Sequence, residues 1–300
     1  ILRTRSDYCD GLPPGLSAVR SSVHAKNYRY GQEPYFQESY RDFLSTFGAS
    51  LSRCARFTYV LFKPDAFVCN SVERSIDILR ERGFHAVTGT TVLFDRHKVR
   101  ELWRYEFNIA HVERYRLVDE LLCSGPSLLV VLEDVIGTSD ASQRLSAQKG
   151  HSSIGKRPRD SLRAVIGARD NMLNFIHTPD EMIDMIREIG VLFAEPERLA
   201  LLEAIRRRPA PALTSLISSL SVSYPTHSLL LDDLYDRLGT TFRQDVASHA
   251  HIFTERPYDL RLTYQARYDL ALWDWITLVN SFLRFSHPRI LPTFDFEVAE

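Results

Sequence analysis

Asn174-Phe175-Ile176-His177-Thr178-Pro179-Asp180-Glu181 places a histidine at the end of a short apolar run, directly before a turn-like acidic segment able to begin a helix. A neutral imidazole, with an unperturbed pKa of about 6.5, can serve as a nucleophile or general base near pH 7. Asp184 and Glu188 would share one face of the following helix at i, i+4 spacing, and Glu188 falls eleven positions after His177. Upstream, KGHSSIGKRPRD (Lys149 to Asp160) forms a basic loop. It has no interleaved aromatics on which bases could stack, so phosphate bound at one site is the simpler account of its charge than nucleic acid. Taken singly, each residue has an ordinary reading: a histidine closing an apolar strand is usually structural, and a lone cation is usually solvated. The decision rests on the elements that would position them.

The composition bounds those elements. With 300 residues, 44% of them hydrophobic, the chain can bury a sizeable core in one large or two ordinary domains. Lys plus Arg (37) nearly cancel Asp plus Glu (38), and the net charge of -1 gives no overall attraction to nucleic acid or an acidic membrane surface. Cys9, Cys54, Cys69 and Cys123 are widely spaced without a CxxC pair or a His-containing metal signature, which predicts reduced thiols and a cytoplasmic protein. No apolar run approaches the roughly 18 residues needed to span a bilayer, and the opening ILRTRSDYCDG carries no hydrophobic leader core.

Residues 1–55 read as an arm, with one helix from Gln37 to Phe47. The seven aromatics from Tyr28 to Phe47 would allow it to dock on a neighbouring surface. Strands are predicted at Phe57 to Phe62, Phe84 to Phe94 and Ser127 to Glu133, with a fourth approaching His177. Helices are predicted at Ser71 to Gly83, within His97 to Cys123, at Ala141 to Gln148 and at Asp180 to Gly190. This order fits an α+β fold, a ferredoxin-like split βαβ with a four-stranded antiparallel sheet, over residues 56–194. Residues 195–300 read as an all-helical C-terminal extension: Glu197 to Arg208, Pro211 to Val222, His227 to Gly239, and one long aromatic helix from Leu260 to Phe285. Pro209, Pro211 and Pro225 punctuate it. Trp273, Trp275, Phe282 and Phe285 fall near helical spacing, as core residues do.

Several motifs occur in order along the middle of the chain: FKPDA (Phe62 to Ala66), LLCSGP (Leu121 to Pro126), SQRL (Ser142 to Leu145), RPRDSLR (Arg157 to Arg163) and NFIH (Asn174 to His177). From Phe57 to Phe193 the chain thus resembles the nucleoside diphosphate kinase family, whose members move a γ-phosphoryl group between nucleotides on a histidine. The resemblance implies that His177 carries the phosphoryl group and that Glu188 orients the imidazole. It further implies that Lys63, Arg144 and Arg163 hold phosphates, that Asn174 contacts the sugar, and that Tyr105 lies near the transferred group. Mg²⁺ would accompany ATP or another nucleoside triphosphate, and a small-molecule phosphate acceptor would follow it. Nucleic acid and membrane are not implied as partners, and a homo-oligomer is the assembly the resemblance suggests. No GxxxxGK[ST] is present, which disfavours a P-loop kinase.

The chain also departs from that pattern. Thr178-Pro179-Asp180 stands where the family has Gly-Ser-Asp, so a hydroxyl that would support the carboxylate is replaced by Pro179, with Thr178 a candidate substitute. HVERYRL (His111 to Leu117) replaces the clamp RPFF. Tyr115 is then the aromatic left to stack on a base, and Arg114 or His111 the cation of that segment. Arg144 and Arg163 are two residues further apart than the family spacing, and Ser152 or Ser153 would stand for a phosphate-binding threonine. Alternative readings are a catalytically degenerate nucleotide-binding scaffold or sensor, or direct phosphoryl transfer to a dedicated metabolite with His177 as base.

Overall fold

The computed structural model describes residues 21, 23–107, 110–137, 140–208 and 212–283. Cys9, Pro209, Pro211 and Phe285 lie outside the described residues. Two helices open the described chain, α1 (His24–Gly31) and α2 (Pro34–Phe47). Strand β1 (Phe57–Phe62) follows, then α3 (Pro64–Val68), α4 (Val72–Glu81), β2 (Phe84–Val92), α5 (Arg96–Leu102), α6 (Val112–Leu122) and β3 (Ser127–Asp134). After these come α7 (Ala141–Lys149), α8 (Leu162–Val165), the two-residue β4 (Ile176–His177), α9 (Met182–Leu192) and α10 (Glu195–Arg207). The C-terminal part is helical: α11 (Leu213–Ser221), α12 (Leu231–Ser248), α13 (Ala250–Glu255), α14 (Arg261–Tyr268) and α15 (Leu272–Phe282). No helix among the described residues is long and apolar enough to cross a membrane.

The strands form one antiparallel sheet in the order β2-β3-β1-β4, the expected split βαβ arrangement. Every residue of β1 and β3 is buried, because both faces of the sheet are covered. On one face Tyr59, Leu61, Leu129 and Val131 pack with Ile183 and Ile186 of α9, Phe36 and Tyr40 of α2, and Leu202 of α10. On the other, Val60, Phe62, Val130 and Leu132 share a core with Ile217, Trp273 and Trp275 from the C-terminal helices. The alternation of side chains along a strand assigns the two sets.

Several sequence-based boundaries change. The expected helix in the arm is α2, extended back to Pro34 at its first turn, where a missing N–H costs nothing. A second helix, α1, precedes it. The stretch from His97 to Cys123 is two helices, and the long helix expected from Leu260 breaks into α14 and α15. There Asp269 adopts a left-handed conformation (φ 51°), and the Asp274 carboxylate accepts the Ala271 N–H at 3.1 Å to start a new helix. Aromatic spacing continues across the break, which is why the pattern reads as one helix. Cys54, Cys69 and Cys123 are free thiols, as expected.

Small residues admit the added layers. Gly125 faces the Tyr224 ring, whose hydroxyl bonds Pro126 O, and a Cβ on Gly89 would lie 2.5 Å from Leu213. In α9, a Cβ on Gly190 would sit 2.2 Å from the carbonyl oxygen of Tyr35 in α2. A backbone atom cannot rotate away, so the overpacking cost of about 1–3 kcal/mol should exceed the helix-propensity gain of about 1 kcal/mol. Gly190→Ala is therefore expected to lower the unfolding free energy in urea titration, and an unchanged or higher midpoint would contradict this close approach of α2 and α9.

Candidate active site

Lys63 and His177 come together through the pairing of two strands. β4 runs antiparallel to β1 with His177 opposite Leu61 and Ile176 opposite Phe62, and the Lys63 N–H donates to Phe175 O at 2.9 Å. The chain reaches that short pairing through Phe175, a buried residue in the left-handed region (φ 68°). Such a conformation is costly for a residue with a Cβ and persists only where its surroundings hold it. Asp65 does so: its carboxylate accepts the Phe175 N–H at 2.9 Å and lies 3.5 Å from Lys63 Nζ. The FKPDA segment thus supplies both a cation and the clamp for the turn before His177.

His177 lies on the wall of a cavity of about 770 Å³. Its Nε2 is 3.0 Å from Glu188 Oε2, and beside a carboxylate that nitrogen is the donor. The proton then sits on Nε2, and the lone pair on Nδ1. The same Glu188 oxygen accepts a hydrogen bond from the hydroxyl of Tyr59 in β1. Burial, then the Glu188 charge, push the Tyr59 hydroxyl well above its ordinary pKa, keeping it a donor. Tyr59 therefore gives Glu188 the support expected from Thr178, whose hydroxyl is buried with no hydrogen-bond partner among the described residues. Trp103 packs edge-on against the imidazole, ring centroids 5.2 Å apart at 77°.

Lys63 and Arg163 are among the buried cations that face the same cavity. Lys63, 5% exposed, donates to Met172 O at 2.6 Å; burial lowers its pKa to about 8, offset in part by Asp65 and reinforced by Arg163. Arg163, 7% exposed, donates to Gly150 O and Ile176 O at 2.9 Å each, while its Nε is buried without a hydrogen-bond partner among the described residues. Burial also lowers the Arg163 pKa, to about 10. Arg163 helps to depress Lys63, and Arg157 helps to depress Arg163, so these clustered cations, one with an orphaned donor, form a site whose charge and hydrogen bonds an anion would satisfy. Asn174, Ser152 and Ser153 line the cavity too, and the Asn174 side chain donates to Asn171 O at 2.7 Å.

The structure thus brings Lys63, Tyr105, Arg114, Arg163, Asn174, His177 and Glu188 to one cavity and leaves Arg144 and Tyr115 outside it. Arg144 makes a bidentate pair with Asp134 at 2.5 and 2.6 Å, donates to Arg82 O and lies 3.9 Å from the Phe84 ring centroid. Of α7, Ser146, Ala147 and Lys149 border the cavity, within about two turns beyond Arg144, whose guanidinium is held by Asp134 instead. Tyr115 donates to Phe107 O at 2.6 Å and packs edge-on against Phe107. The cavity side of α6 is Arg114, Val118, Leu121 and Leu122, spaced i, i+4, i+7 and i+8, so Tyr115 cannot stack on a base there. Arg114, and not His111, is the cavity cation of that segment. Tyr105 contributes its ring, but its hydroxyl is bonded to Glu33, and the aromatic against His177 is Trp103.

Lys26, Tyr30, Tyr59, Trp103 and Asp180 were not assigned to the site from sequence, and Lys149 was read only as part of the basic, phosphate-binding loop. Lys149 Nζ lies 3.1 Å from Asp180, which also accepts from the Ser146 hydroxyl, and all three residues border the cavity. Alternation along β1 could have revealed Tyr59, two positions before Leu61 and on the same face. Lys26 and Tyr30 arrive from a distant part of the chain and leave no local signal.

The family model described as nucleoside diphosphate kinase matches residues 56–198. Among solved structures, the chain is similar to the nucleoside diphosphate kinase of Aquifex aeolicus, with 25% identity over 47% of this chain and 97% of that one, and a TM-score of 0.39. It is also similar to the enzyme from Encephalitozoon cuniculi, with 19% identity over 45% of this chain and 87% of that one, and a TM-score of 0.39. For an NDP kinase from Pyrobaculum aerophilum the identity is 16% over 47% and 97% of the two chains, with a TM-score of 0.38. No curated protein sequence matches the chain. The motif order, the sheet topology and the family match agree: over residues 56–198 this chain is similar to the nucleoside diphosphate kinase family.

Proposed function

We propose that the protein is a phosphotransferase that takes the γ-phosphoryl group of a nucleoside triphosphate onto His177 and passes it to a nucleoside diphosphate or a related small acceptor. The observation that supports this reading best is the His177 arrangement: Glu188 occupies Nε2, leaving the Nδ1 lone pair beside a cavity that Lys63 and Arg163 border from buried positions. In the first half-reaction that lone pair forms the N–P bond as the bond from the γ-phosphorus to the bridging oxygen breaks, and the diphosphate leaves with the electron pair. The acceptor's terminal oxygen then attacks phosphorus, the N–P bond breaks and its electrons return to Nδ1. Glu188 stabilises the positive charge that develops on the ring, and Lys63, Arg163 and Arg114 offset charge on the phosphate oxygens. No cluster of three or more metal-ligating side chains occurs among the described residues. Mg²⁺ would be carried on the nucleotide phosphates, with Glu106 and Asp180 among the carboxylates bordering the cavity, and would supply neutralisation of phosphate charge.

A second reading, a nucleotide-binding scaffold, draws on the engagement of Arg144 and Tyr115 elsewhere. It differs in one measurable respect, binding without phosphoenzyme. Incubation with Mg-ATP and intact mass analysis should show one acid-labile phosphate on the wild type and none on His177→Ala, and an unlabelled wild type would sink the carrier mechanism. Tyr59→Phe removes a hydrogen bond to a charged group, worth roughly 1.5–3 kcal/mol, so phosphorylation should slow about tenfold or more at saturating nucleotide. Full activity in that variant would show that Glu188 does not need the tyrosine.

Lys63 makes a signed pH prediction. Its folded pKa of about 8 means it is substantially deprotonated just above that pH, and a bound polyanion favours the charged form and raises the pKa. Triphosphate binding near pH 8.5 should therefore take up protons, detectable by calorimetry in buffers of different ionisation enthalpy. The uptake should disappear in Lys63→Met, and proton release by the wild type would contradict the assignment. In the absence of ligand, the sign for stability is opposite to that of a stabilised cation. The unfolded chain binds more protons between the folded and unfolded Lys63 pKa values, so this group's contribution improves as pH rises through that window.

A further inference from the structure

Helix α9 carries Glu188, and all eleven of its residues are buried. Its first turn is fixed from outside the matched region. Lys26 of α1, 3% exposed, places Nζ 2.7 Å from Asp184 Oδ2 and 3.0 Å from Glu181 Oε2, and it lines the same cavity as His177. The Tyr30 hydroxyl donates to Asp184 Oδ1 at 2.8 Å, and the Ser21 hydroxyl to Glu181 Oε2 at 2.5 Å. Asp184 Oδ2 also accepts the Glu181 N–H at 2.9 Å, half of the capping box that starts the helix. The cation and the cap thus meet on one carboxylate oxygen.

Only Thr178, Pro179 and Asp180 separate His177 from Glu181, the N-cap, and Glu188 lies about two turns along the helix from that cap. Movement of the first turn would therefore carry Glu188 relative to the imidazole. We propose that Lys26 is a positioning residue of the active site, fixing the start of α9 through Asp184 and Glu181 so that Glu188 meets His177 Nε2. This rests on the reading of His177 as the phosphoryl carrier, and it extends the functional unit upstream of residue 56. Burial pushes Asp184 up to about 6 even with Lys26 beside it. Without the ammonium the carboxyl would be neutral at pH 7, a weaker acceptor for the cap. Glu181, Glu188 and Asp180 add negative charge from the α9 side, Tyr30 contributes a hydroxyl from α1, and Arg187 is already paired with Glu33 at 2.6 Å.

The test compares the full-length wild type with Lys26→Met and with Lys26→Met/Asp184→Asn. Formation of acid-labile phosphoprotein from Mg-ATP is followed alongside hydrogen exchange of amides 181–185. Lys26→Met should be phosphorylated at least about tenfold more slowly at saturating nucleotide, with a half-saturating concentration within about twofold of wild type, and those amides should exchange faster. The double variant should recover most of both properties, because an amide oxygen at position 184 can accept the cap N–H without a cation. Wild-type rates and exchange in Lys26→Met, or a double variant no better than the single, would overturn the proposal. An unlabelled wild type would instead overturn the carrier reading of His177, and the exchange comparison would then decide separately whether Lys26 holds α9.

Discussion

A helix buried along its whole length can carry charge only if each charge is met by another group, and α9 carries three that matter here: Asp184, Arg187 and Glu188. Their partners come from different parts of the chain. Lys26 and Tyr30 meet Asp184, Glu33 meets Arg187, and Tyr59 and His177 share one oxygen of Glu188. Leaving one of these groups unpaired would cost more than the net worth of its pair, so the arm, β1, β4 and α9 are constrained together. Glu33 also accepts from Tyr105, tying the cavity's aromatic wall to the same network.

The phosphate side depends on a different device. β4 is only two residues long, and its pairing with β1 is reached through Phe175 in a left-handed conformation, held by Asp65. One carboxylate therefore serves the turn before His177 and the cation after β1. With Arg163 bonded to Ile176 O, the anion-binding groups are anchored to the strand pair that presents the imidazole. Positioning of this kind is most of what phosphoryl transfer asks of a protein, because there is little covalent chemistry for its other side chains to perform.

The cavity residues legible in the sequence were those that the resemblance to the nucleoside diphosphate kinase family implied, at strand ends and in the helix after His177. Lys63 follows a strand, Asn174 and His177 bracket the approach to another, and Glu188 follows at helical distance. The four-stranded antiparallel sheet was readable from the order of strand and helix segments. Arg144 and Tyr115 failed for a common reason: a motif match in one dimension does not fix where a side chain is held. Arg144 is held by Asp134 while Ser146 and Ala147 of the same helix border the cavity, and one position along α6 separates Arg114 from Tyr115. The break at Asp269 escaped because aromatic spacing continued across it. Lys26 and Tyr30 could not be found locally, since their partner Asp184 is 158 and 154 positions away.

That separation bears on the order in which the chain can be built. The aromatic face of α2, with Phe36, Tyr40 and Phe43, leaves the ribosome well before the α9 surface that covers it has been synthesised. Until then the face lacks its α9 partner, and Lys26 has no carboxylate of Asp184 or Glu181 to close upon. Docking of the arm is consequently a late, non-local event, and its loop-closure entropy must be met before the contacts that reward it can form. The same contacts that finish the site therefore make its assembly dependent on an exposed apolar segment surviving the wait.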